Sequence, residues 1–218
     1  MATAIQHLCH ADPMSVESTP TDTRDVIIGA ALSCFRDYGM HKTTIVHIAK
    51  AAGTSRSTVY EYFGDKAAIV EATAEYSSQR FYRELIKAMD GGQSLEEKLS
   101  RAAVMVTRAR RIVEPENYFD ADEVSVMLTK NAAVLLRECT DFLAPYIAAA
   151  KVTGEVRKDL DVQAAGEWFA RMLFSLFTTP SSTLDMDDEN VVAEFVRSHV
   201  VRGFTHDRSR SKRTLEAG

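Results

Sequence analysis

The stretch TTIVHIAKAAGTSRSTVYEYFGDK, Thr43 to Lys66, decides how the rest of the chain is read. Ile45, Ile48, Ala49 and Ala52 recur at helical spacing behind Thr43 or Thr44, either of which can cap the helix, and Gly53 stops the run. Ser55 can cap a second short helix that continues through Phe63. In it Val59 and Phe63 stand one turn apart and can pack inward, while Arg56, Ser57 and Tyr60 fall on other faces. Two short helices joined by a glycine turn form a helix-turn-helix unit. Phe63 is read as core and Tyr60 as outward-facing, with Tyr62 open between the two roles.

Upstream, Ile27, Ala31, Cys34, Phe35 and Tyr38 recur at steps of three and four from Asp22 to Gly39, a first amphipathic helix with a glycine at its end. Downstream, Asp65 can cap a long helix that runs to about Asp90, where Gly91 and Gly92 break it. Such a helix is long enough to leave a small N-terminal unit and join another layer. The run SLEE, Ser94 to Glu97, is a capping box that opens a further helix ending near Pro115. Helical periodicity returns over 120–131, 131–152, 162–178 and 188–204, and no strand pattern or fixed repeat interrupts it.

The expected fold is therefore all-α, with a three-helix helix-turn-helix head joined by a long helix to a larger helical body. The expected division is a flexible leader over 1–20, a head over 21–66, a body over 67–206 and a flexible tail over 207–218. The tail segment DRSRSKR, Asp207 to Arg213, is read as a solvated terminus rather than a phosphate-contacting arm.

The chain of 218 residues is 45% hydrophobic, enough to bury an ordinary core, and carries a net charge of -5. That charge argues against a surface wholly devoted to nucleic acid, so any polyanion has to be met locally. The segment from Thr21 to Lys66 is the less acidic part. Its six basic residues (Arg24, Arg36, Lys42, Lys50, Arg56, Lys66) outnumber five acidic ones (Asp22, Asp25, Asp37, Glu61, Asp65). Three scattered cysteines, Cys9, Cys34 and Cys139, suggest no disulfide framework, and with no secretory signal or long apolar run the expected location is cytoplasmic.

Nothing recommends an enzyme. His7, His10, His41, His47, His199 and His206 lack metal-ligand spacing, and no phosphate-binding loop, Gly-x-Ser-x-Gly or His-Glu-x-x-His occurs. Neither a metal site nor a cofactor is expected.

The run TTIVHIAKAAGTSRSTVYEYFGDKAAIVEA, with AALSCFRDYG before it, resembles the DNA-binding head of TetR-family transcriptional regulators. The matching positions are Thr43, Thr44, Ile48, Ala49, Ala52, Gly53, Ser55, Thr58, Tyr60, Tyr62, Phe63 and Lys66, about a quarter of the chain with its flank. Glu61 and Thr54 depart from the family's pattern, and Glu61, which could accept from a cytosine amino group, is read as facing solvent. The resemblance implies that the short third helix enters the major groove, with Thr44, Ser55, Thr58, Tyr60, Tyr62 and Lys66 holding phosphates and Arg56 and Ser57 reading base edges. Lys42 and Lys50 are left open between phosphate contacts and solvated charges.

The run GEVRKDLDVQAAGEWFARMLFSLFTTPSSTLD, Gly154 to Asp185, is similar to the C-terminal half of many regulators of that family, whose last two helices form the dimer interface. By that resemblance the body dimerises through Trp168, Met172, Leu176, Val192, Phe195, Val196 and His199. It also implies a pocket for a hydrophobic effector, with Met105, Phe119, Met127, Trp168 and Phe174 as candidate walls. The implied function is a ligand-responsive regulator, in the commoner case a repressor on a palindromic operator. The alternative is a helical ligand-binding module that regulates no gene.

Overall fold

The structure is a computed structural model, and the residues it describes are 22–111 and 132–205. Expectations that fall on the leader, on Phe119 and Met127, on the helix over 120–131 and on the tail lie outside them. Among the described residues every regular element is helical. Its α-helices are α1 (Thr23–Tyr38), α2 (Ile45–Ala51), α3 (Arg56–Phe63), α4 (Lys66–Asp90), α5 (Leu95–Arg111), α6 (Ala132–Thr153), α7 (Val162–Thr178) and α8 (Glu189–Phe195).

Two compact units divide within α4, one containing residues up to Arg83 and the other running from Glu84 through the described C-terminal helices. The first unit starts with a cap: Asp22 accepts the Arg24 amide and α1 opens behind it. Ile27, Ala31, Cys34 and Phe35 of α1 meet Ile48 and Ala49 of α2, Val59 of α3 and Ile69 of α4 in one buried cluster. A second cluster joins Ile28, Leu32 and Ala72, and Phe63 packs against both. Thr43, which could have been the cap of α2, is instead buried, its Oγ1 2.9 Å from the carbonyls of Cys34 and Gly39. Thr44 is the cap, accepting the His47 amide.

Two side chains differ from the periodic reading. Tyr38, expected on the inward stripe of α1, is 53% exposed because the helix ends beneath it and its ring turns to His47, 5.0 Å away between centroids. Phe63 is half-buried, and the Arg24 guanidinium lies 5.4 Å from its ring centroid.

In the second unit, Ser94 accepts the Glu97 amide as the capping box predicts, while the Glu97 carboxylate reaches one residue past the cap to accept the Gln93 amide. Glu155 also accepts the Leu95 amide at the start of α5, 2.7 Å away. Helices α6 and α7 pack most extensively, and Gly166 lets them meet: a Cβ there would stand 3.2 Å from Thr140 Cγ2 and 3.3 Å from its carbonyl oxygen. Cys139, in this buried layer, has its thiol pushed up to about 12 by burial, so it is inert near neutral pH.

The helix expected over 188–204 does not run through. After α8 the backbone widens into a π turn, Val196–Val200, and then tightens into a 3-10 turn, Arg202–Phe204. The consequence is that Val196, Val200, Val201 and Phe204 are all buried, more than one straight apolar stripe brings inward.

Gly53 is the turn on which the head depends. Its φ of +64° lies in the left-handed region, and open space surrounds the position where a Cβ would be added. Gly53→Ala therefore meets no clash and costs only backbone strain, about 1 kcal/mol. A melting curve of the variant is expected to shift down by a few degrees with the fold retained.

Candidate nucleic-acid interface

The buried side of α3 fixes what its other side shows. Val59 is fully buried and Phe63 packs into the core, so Arg56, Ser57, Tyr60, Glu61 and Tyr62 are left exposed. Tyr60 and Tyr62 are 52% and 44% exposed, which settles Tyr62 on the surface. The helix starts at Ser55, whose Oγ accepts the Thr58 amide at 3.1 Å. The same oxygen lies 2.6 Å from Ser57 Oγ and 3.0 Å from Thr58 Oγ1, so three hydroxyls cluster at the N-terminal end of α3.

Around α3 the other expected residues take up defined places. Thr44 is exposed at the start of α2. Asp65 accepts the Ala68 amide and caps α4. Lys66, in the first turn of α4, is half-buried and donates through Nζ to the His41 carbonyl at 3.3 Å, which ties α4 to the loop before α2. Lys42, Lys50 and Arg56 are exposed, and among the described residues none of the three is held by a hydrogen bond or ion pair. The Tyr38–His47 ring pair, which the sequence reading did not single out for this surface, is exposed at the end of α1 and on α2. The pattern gave no signal of it, since Tyr38 reads as the last member of the inward α1 stripe.

Hydroxyls and cations at helix starts, with exposed phenols, are groups that hold phosphate oxygens, and a short helix with one side free is the shape a major groove admits. The family model for "Bacterial regulatory proteins, tetR family" matches residues 27–73, the segment just described. Over that segment the chain matches the TetR family.

Among its relatives, an HTH-type transcriptional regulator BetI of Yersinia pestis is 31% identical over 102 residues, which is 47% of this chain and 46% of that protein. The chain thus spans about half the length of the first curated relatives it matches. The probable HTH-type transcriptional regulator ArpR of Pseudomonas putida is 28% identical over 156 residues, 66% of this chain and 73% of that one. The same fold occurs in the fatty acid degradation regulator FadR of Bacillus halodurans, with a TM-score of 0.62 and 22% identity, covering 84% of this chain and 98% of that one. It also occurs in the TetR-family regulator CifR, solved with 26-bp double-strand operator DNA, with a TM-score of 0.60 and 15% identity over 87% of this chain and all of that one.

In the body, the residues expected to serve a pocket or a partner separate. A cleft of about 320 Å³ is lined by Arg157, Asp161, Trp168, His199, Val200 and Phe204, among others. Trp168 is 47% exposed and donates through Nε1 to the Val200 carbonyl at 3.4 Å. Met105 and Phe174 are half-buried elsewhere on α5 and α7 and do not line this cleft. Of the residues expected at a dimer interface, Trp168 and His199 are exposed and Met172 and Phe195 half-buried. Val192, Val196 and Leu176 are covered within their own protomer and leave a partner little to touch. Among the described residues no helix is long and apolar enough to cross a membrane, and no cluster of ligating side chains could hold a metal ion.

The cap at Ser55 separates stability from charge. Ser55→Ala removes the acceptor for the Thr58 amide and is expected to cost about 1 kcal/mol. Ser55→Asp keeps an acceptor and a favourable charge at the helix start, so its melting temperature is expected to stay close to that of the parent.

Proposed function

We propose that this protein is a ligand-responsive, DNA-binding transcriptional regulator that binds a palindromic operator as a homodimer. The observation that carries the reading is the outward side of α3, exposed at Arg56, Ser57 and from Tyr60 to Tyr62, with hydroxyls at its start and the Arg56 cation uncompensated among the described residues. Thr44, Ser55, Thr58, Tyr60, Tyr62 and Lys66 hold the phosphate backbone, and Arg56 and Ser57 meet base edges. That CifR was solved with its operator supports a DNA-bound state for this fold. Lys66 has a second task here, because its hydrogen bond to His41 holds the loop that delivers α2.

Dimerisation uses the exposed Trp168 and His199 with the half-buried Met172 and Phe195, and brings two heads to two half-sites. A small hydrophobic effector in the body lowers operator affinity, which makes the protein a repressor relieved by its ligand. Such a ligand acts only through unequal affinity for the DNA-bound and DNA-free states. Half-buried Met105 and Phe174 are the described side chains that suit an apolar effector.

Selection of genomic fragments by the purified protein, followed by a salt titration on the retained sequence, tests the reading. Affinity is expected to fall steeply as salt rises, in proportion to the phosphates neutralised. Lys66→Ala is expected to weaken binding to all duplexes and reduce the salt slope by about one, whereas Arg56→Ala also relaxes discrimination between sequences. Retention of no duplex, or salt-independent retention, contradicts the proposal.

A further inference from the structure

Glu61 has no stabilising task within its own protein. It lies in the last turn of α3, where a negative charge opposes the helix dipole. The residues one turn away, Ser57, Thr58, Gly64 and Asp65, include no cation, and Asp65 adds a like charge. Among the described residues its carboxylate makes no hydrogen bond or ion pair, and the side chain is exposed. Only its position on α3 remains to account for it.

That position is the middle of the outward side. Val59 is fully buried and Phe63 packs into both clusters of the head, so these two residues define the inward direction of α3. Glu61 is two residues from each, a rotation of about 200° in either sense, and so stands opposite the core. Tyr60 and Tyr62, both exposed, flank it. Ser57 lies one turn before it on the same side, but Ser57 Oγ is engaged at 2.6 Å with the cap oxygen of Ser55. The one polar group at the centre of this side without a protein partner is therefore the Glu61 carboxylate. Glu61 is exposed, as expected of a residue facing solvent, and that direction is also the one α3 presents.

Resting on the DNA-binding reading above, we propose that Glu61 is a specificity-determining residue that selects cytosine at a fixed position in each half-site. An ionised carboxylate only accepts hydrogen bonds. In the major groove guanine offers N7 and O6 and thymine O4, all acceptors, which repel it. Adenine sets its N6 donor beside the N7 acceptor, whereas cytosine offers the N4 donor alone. A phosphate repels the carboxylate as well, so Glu61 makes α3 poor at binding any duplex that lacks the matching base. It selects by rejection as much as by attraction.

Enrichment of duplexes from a random-sequence library, run in parallel with the parent protein and with Glu61→Gln, tests this. The parent is expected to enrich cytosine at one position per half-site and to discriminate against other bases there by about tenfold. In Glu61→Gln, whose amide both donates and accepts, that preference is expected to vanish or pass to adenine, with preferences at the other positions kept. The inference is overturned if both proteins enrich the same bases, or if the variant binds every duplex more tightly by one common factor, which reports phosphate repulsion alone. Retention of no duplex by either protein brings down the DNA-binding reading, and this inference with it.

Discussion

The structure of the head depends on the burial of one side of a helix of eight residues, Arg56–Phe63. So short a helix has little stability of its own in water, and it is held by tertiary packing of Val59 and Phe63 against α1, α2 and α4. The same packing orients it. Once those two side chains point inward, Ser57, Tyr60, Glu61 and Tyr62 have no choice but to face out, and their chemistry becomes the chemistry of the surface. Gly53 sets the turn before α3, and the Ser55 hydroxyl fixes its first residue.

Much of this was legible because it is local. Thr44, Ser55, Asp65 and Ser94 each accept an amide three residues ahead, and a cap of that kind needs no knowledge of the rest of the fold. The all-helical class followed from a single periodicity sustained along the chain. What periodicity left undecided is what covers an apolar side. Thr43 and Thr44 look alike as caps, and the choice falls on Thr44 because the Thr43 hydroxyl is needed inside, next to the Cys34 and Gly39 carbonyls.

The body shows the same limit more sharply. Val192 and Val196 recur at helical spacing and so read equally well as a face for a partner. They are instead buried within the protomer, with Val196 and Val200 in a π turn and Val201 and Phe204 buried after it. A change of helical pitch has no signature in a pattern counted at a constant step. Trp168 illustrates the opposite case: a large aromatic residue, expected in a wall or an interface, whose indole N–H is held by a backbone carbonyl while its ring stays half in the open beside a cleft.

The central claim is that the outward side of α3 is the surface that meets DNA. Amide chemical-shift mapping of the full chain, titrated with a duplex that it retains, tests this most directly. The largest changes are expected at Thr44, across Ser55 to Tyr62 and at Lys66. Changes confined to α5 through α8, with α3 unmoved at saturating duplex, would contradict the account.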